Sequence, residues 1–145
     1  MYEYLGNIDF SPDGRHSMIV AMNSAPGTPS QTKTNLVLVD LNAAEGSAPR
    51  LLDLDPRFSA GLIAIYTGGP KFSPDGKAIV YDIMDKGVGN LWIQPLDGSR
   101  GHQITTFTSG FINGFRWSPD GKSLGVMREH DFSDVVLLRE TNENE

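Results

Sequence analysis

The chain of 145 residues contains no cysteine. Disulfide frameworks, thiolate metal sites and cysteine nucleophiles are therefore excluded, although the compartment is not fixed by this. Long hydrophobic runs are also missing. Compact ones such as Leu36–Val39 and Val135–Leu138 fall far short of the roughly 20 apolar residues a membrane-crossing helix needs, so no membrane segment is expected. The N-terminus, MYEYLGNID, lacks the basic start and apolar stretch of a secretory signal. With Met1 as the true start the chain belongs in the cytoplasm. As a piece of a longer protein it could equally be periplasmic or extracytoplasmic.

Positive charge is scarce. Twelve Lys and Arg face eighteen Asp and Glu, a formal net charge of −6, with no basic cluster. That speaks against nucleic acid as a partner and against anionic lipid. No stretch sustains a 3.6-residue apolar period, so no helix is expected. A Gly-rich phosphate loop, HRD, DFG and a G-x-S-x-G elbow are all missing. The sequence thus assigns no catalytic, cofactor or metal residue.

What is abundant is turn chemistry, with 16 Gly and 9 Pro. One phrase recurs three times: FSPDG at Phe10–Gly14, FSPDG at Phe72–Gly76 and WSPDG at Trp117–Gly121, followed by Arg15, Lys77 and Lys122. Proline at the second position presets φ (Pro12, Pro74, Pro119). Aspartate suits the third (Asp13, Asp75, Asp120). Glycine takes the left-handed conformation that closes a type I turn with a bulge (Gly14, Gly76, Gly121). A three-residue hairpin loop is expected at each, with the aromatic ending one strand and the apolar run beginning the next.

The expected strands, in order, are Met1–Leu5, Ser17–Met22, Asn35–Leu41, Pro49–Leu54, Pro70–Ser73, Ala78–Met84, Asn90–Leu96, His102–Phe107, Phe111–Trp117, Ser123–Arg128 and Asp134–Arg139. Leu62–Tyr66 could also pair. Asn23–Thr34, broken by Pro26, Gly27 and Pro29, reads as a loop. Phe72 lies 45 residues before Trp117 and 62 after Phe10. A second echo matches Phe58, Gly61 and Ile63 to Phe107, Gly110 and Ile112 at a constant 49. A period of about 40–45 residues with about four strands per unit indicates β-propeller blades. The fold expected is therefore all-β: about three four-stranded antiparallel blades in one partial propeller domain. The units run roughly 7–57, 58–107 and 108–140, with an acidic tail at 141–145. Remaining blades would come from a longer chain, the favoured reading, or from a second copy.

The units resemble the WD40-like repeat of TolB-type propellers. That pattern is an aromatic, SPDG, a basic residue, an apolar strand, then a strand ending in LDG. Only unit two carries the whole, as FSPDGKAIVYDI and NLWIQPLDG. A narrower resemblance, carried by units two and three with DVVLLRE near the end, is to C-terminal propellers of bacterial receptor-like Ser/Thr kinases and winged-helix regulators. The resemblance implies a non-catalytic sensor or interaction module with a protein or peptide ligand. The alternative is an accessory propeller of a larger kinase or prolyl-oligopeptidase-like hydrolase. A TolB-like periplasmic partner in envelope transport ranks third.

Individual residues read more blandly. His16, His102 and His130 lack ligand spacing. The pairs Asp53/Asp55 and Asp82/Asp85 are explained by a solvated edge or turn. Trp92 and Trp117 suit packing between blades. Arg116, just before the third turn, is the one candidate channel contact for an acidic partner. Against that stands the simpler expectation of an ion pair with a neighbouring carboxylate.

Overall fold

The computed structural model describes residues 4–25, 28–58 and 68–130. It is all-β, with no helix among the described residues and hence none able to cross a membrane. Strands β1 (Tyr4–Phe10), β2 (His16–Ala25), β3 (Thr28–Asp40) and β4 (Arg50–Leu52) form one antiparallel sheet in sequence order. Strands β5 (Lys71–Phe72), β6 (Ala78–Asp85), β7 (Val88–Pro95) and β8 (His102–Gln103) form a second, again in order. Strands β9 (Phe111–Trp117) and β10 (Leu124–Glu129) pair as a third. The expected strands Asp134–Arg139 and Leu62–Tyr66 lie outside the described residues.

The sheets stack face to face because each strand alternates its side chains between two faces. Met18 and Val20 of β2, with Leu36 and Leu38 of β3, meet Phe72, Ile79, Tyr81 and Ile83 of blade two in a buried seam. Val80 and Leu91, on the opposite face of blade two, meet Ile112 and Phe115 of blade three. Blade two is thus covered on both sides, which is why Ala78–Tyr81 are all buried. Each large aliphatic side chain buried in these seams contributes about 1.5–3 kcal/mol. Trp92 packs on the first seam and Trp117 on the second.

Three expectations change. Within the stretch Asn23–Thr34, of which residues 26 and 27 lie outside the described residues, the described positions are strand, because β2 and β3 continue pairing as Asn23↔Lys33 and Ser24↔Thr32. The ladder set by Met18↔Leu38 propagates outward, and a register shift beyond Ser24 leaves Pro29, which has no N–H to donate, out of the pairing. Gly6 and Asn7 fall inside β1, at a register shift between Leu5 and Ile8, so the first strand runs unbroken to the turn.

The strand expected over His102–Phe107 stops at Gln103. One more backbone bond follows, Ile104 N–H to the Leu91 carbonyl (2.9 Å), and then side chains take over. The Thr105 hydroxyl accepts from Leu91 N–H (2.8 Å) and donates to Asn90 Oδ1 (2.9 Å). Asn90 also accepts from Phe107 N–H (2.7 Å) and donates to its carbonyl (3.1 Å).

Candidate interaction surface on the inner strands

The three SPDG turns share one hydrogen-bond pattern. The Gly N–H donates to the Ser carbonyl at 2.9 Å in each, and Gly14, Gly76 and Gly121 all have φ +69°. The Ser hydroxyl donates to the Asp carboxylate at 2.6 Å in each. That carboxylate also accepts the N–H of Arg15, Lys77 or Lys122 at 3.0–3.1 Å. The Ser Oγ accepts the N–H of His16, Ala78 or Ser123. The loop is therefore one residue longer than expected. Ser11 N–H meets the His16 carbonyl, but the His16 N–H goes to the serine hydroxyl, leaving four residues, Pro12–Arg15, between the paired positions. The same holds for the other two turns. The serine hydroxyl first, then the backbone N–H, holds the carboxyls of Asp13, Asp75 and Asp120 below the usual aspartate range. These acids stand one per blade and are occupied within their turns.

The turns also touch one another. A Cβ on Gly76 would lie 3.6 Å from Pro12 Cδ, and one on Gly121 only 2.6 Å from Pro74 Cβ. The proline of one blade thus rests on the glycine of the next.

Before each turn runs the innermost strand of its blade. The residue preceding the aromatic is Asp9, Lys71 or Arg116. Asp9 reaches across the first seam, and its carboxylate accepts Phe72 N–H at 2.9 Å. Lys71 Nζ donates to the Gly68 carbonyl at 2.6 Å. Arg116 is exposed, and no carboxylate of the described residues pairs with it; the expected ion pair is not found there. Lys71 and Arg116, with Asn113 and Met127, line a shallow groove of about 640 Å³. Lys71 was not singled out by sequence reasoning. The 45-residue offset that carries Phe72 to Trp117 also carries Lys71 to Arg116, and would have found it.

A second groove, of about 570 Å³, lies between the outer strands of blades one and two, lined by Arg50, Trp92, Asp97 and Arg100 among others. Much of its polar chemistry is used internally. Arg50 donates to the Leu96 carbonyl (2.6 Å). At its margin Arg57 binds both Asp55 oxygens (2.8 and 2.9 Å), contacts Asp85 (3.5 Å) and stacks over Trp92 at 4.9 Å. Arg57 correspondingly lowers the Asp55 pKa, and Asp55 raises that of Arg57. Asp82 departs from the solvated edge expected of it. It sits half-buried in the second seam, where desolvation pushes its carboxyl above the usual range. His16, His102 and His130 lie apart, and no group of metal-binding side chains forms among the described residues.

No family model matches the chain, and no curated protein matches it. Solved structures do. TolB from Acinetobacter baumannii is 19% identical with a TM-score of 0.62, covering 89% of this chain and 28% of that one. The β-propeller domain of the Trilobed protease from Pyrococcus furiosus is 18% identical with a TM-score of 0.58, over 87% of this chain and 34% of that one. Pyrococcus horikoshii acylaminoacyl peptidase is 15% identical with a TM-score of 0.61, over 97% of this chain and 20% of that one. The chain thus spans about a third or less of the length of these neighbours. The narrower resemblance to kinase and winged-helix-regulator propellers gains no support from them. The chain has the β-propeller fold, and its likeness to TolB-type propellers, visible in the SPDG repeat, holds in three dimensions.

Proposed function

We propose that the chain is a non-catalytic interaction module that takes an acidic protein or peptide segment along the inner strands of its blades. The observation that carries this is Arg116. It is exposed on β9 with no carboxylate partner among the described residues, in a groove shared with Lys71. A cation presented on a rigid strand pays little ordering cost when a carboxylate arrives. The internal acids of the turns, Asp13, Asp75 and Asp120, are held by their own serines and do not compete for it.

The test is titration with an oligoglutamate peptide, followed by calorimetry. Binding should weaken with added salt and fall about tenfold or more in Arg116→Glu. Binding unchanged in Arg116→Glu and Lys71→Glu, or no binding at low salt, would reject the reading.

A second reading rests on the peptidase neighbours, the Trilobed protease and acylaminoacyl peptidase. In it, the chain is the accessory propeller of a hydrolase. A G-x-S-x-G elbow in adjoining coding sequence would favour this reading, and an uninterrupted run of further SPDG blades would favour the first.

A further inference from the structure

The outer groove between blades one and two keeps polar groups that the fold does not use. Trp92 lines it from blade two. It stands opposite Tyr81 in the ladder and packs on the first seam. Arg57 stacks over its ring at 4.9 Å, yet the indole N–H meets no acceptor among the described residues. Gly101 lies against that nitrogen: a Cβ there would come within 3.0 Å of Trp92 Nε1 and 2.5 Å of Gln94 Oε1. The residue before it, Arg100, lines the same groove. Arg100 is exposed, and no carboxylate of the described residues pairs with it.

Two of the three acids in the groove are already committed. Asp97 accepts the N–H (2.8 Å) and the hydroxyl (2.6 Å) of Ser99. Asp55 is gripped by Arg57, and Arg100 adds only a weaker field to it. Asp53 is exposed, with no partner among the described residues. From blade one, Leu52 and Leu54 supply a half-buried apolar wall. A cation and a neutral N–H, both unused and beside an apolar wall, match a carboxylate flanked by apolar groups. The free Asp53 repels a run of acids, so one carboxylate is favoured over several.

We propose that this outer groove is a second binding site, for a short extended peptide segment carrying one acidic side chain between apolar ones. Arg100 and the Trp92 N–H receive the carboxylate, and Leu52 and Leu54 receive the apolar side chains. Its volume of about 570 Å³ suits a ligand of a few residues. Neither Arg116 nor Lys71 lines it, so it stands or falls independently of the inner-strand groove.

The chain has two tryptophans, so its amide NMR spectrum carries two indole N–H peaks, which Trp92→Phe assigns. Titrating the full chain with acetyl-Leu-Glu-Leu-amide at low salt should move the Trp92 peak and leave that of Trp117, whose nitrogen is buried, in place. By calorimetry, Kd should rise about tenfold or more in Arg100→Gln and about threefold or more in Trp92→Phe, which keeps a ring but loses the donor. Circular dichroism should stay β-like in both. Acetyl-Leu-Gln-Leu-amide should bind about tenfold more weakly, and added salt should weaken only the acidic peptide. Three outcomes would overturn the proposal: a Trp92 peak that stays still at millimolar peptide, an equal response to the two peptides, or an unchanged Kd in Arg100→Gln. The Trp92 peak reports this groove alone, so failure of oligoglutamate to bind at Arg116 leaves the result unaffected.

Discussion

At residue scale, the turn glycines are alike in φ but not in surroundings, and this grades the cost of changing them. Alanine at φ +69° is strained at all three positions, on the order of 1 kcal/mol. At Gly121 the new methyl would also meet Pro74 at 2.6 Å, whereas at Gly14 it meets nothing within 4 Å among the described residues. Thermal melts should rank the losses Gly121→Ala first, then Gly76→Ala and Gly14→Ala. Equal losses would show that the proline contact carries no energy. Asp82 supplies a test of opposite sign. Its carboxyl is raised by burial in the second seam, so its contribution to stability is full below the unfolded value, near 3.8, and is lost as pH rises through the higher folded value. Asp82→Asn should therefore raise Tm at pH 7, and the gain should shrink as the pH is lowered towards 4. The turn aspartates run the other way. The hydroxyl of Ser73 lowers the Asp75 carboxyl, so that contribution is present above about pH 4 and fades as pH falls through the folded value. Ser73→Ala should lose more stability at pH 7 than at pH 2. A residue of the loss should persist at both, because Ala78 N–H, buried, also depends on that hydroxyl at 2.9 Å.

At the scale of elements, Asn90 does the work of a strand. Its amide and the Thr105 hydroxyl satisfy backbone groups of Leu91 and Phe107 where β8 has already ended. Asn90→Leu would leave Phe107 N–H and the Thr105 hydroxyl without this partner, at a cost of about 1–3 kcal/mol. Hydrogen exchange should quicken at Phe107 while the amides of β6 stay protected. If protection at Phe107 is unchanged, the bridge is not what holds that segment. The hairpin of β2 and β3 illustrates the opposite case, in which ladder pairing overrides turn-rich composition. Ser and Thr tolerate a strand, and the register slips once, where Pro29 cannot donate.

At the scale of the whole molecule, the same aromatic is core or surface according to its neighbour. Phe72→Ala removes a side chain buried between two blades and should cost about 3–5 kcal/mol, read from denaturant melts. Phe10→Ala, at the equivalent place but exposed, should cost little. Equal losses for both variants would contradict the seam assignment. The axial groove behaves likewise. Arg116 and Lys71 sit 45 residues apart, and only the stacking of blades makes them neighbours.

By itself the sequence determined the fold class, the three turns and most strand positions. Those depend on local rules: the φ demands of Pro and Gly, the short side chains of Ser and Asp, and a period of two in runs such as Ala78–Asp85. It also carried the repeat, from which the blades follow. Only the tertiary structure decided the rest. It extended β2 to Ala25 and began β3 at Thr28, inside a stretch expected to be a loop, because an established ladder outweighs weak local preference. It ended β8 at Gln103, because Asn90, on another strand, supplied the bonds. It put Asp82 in a seam and left Arg116 without a carboxylate among the described residues, because a residue's partners across a seam are set by how the sheets stack, and a linear pattern records only which face of the strand it occupies.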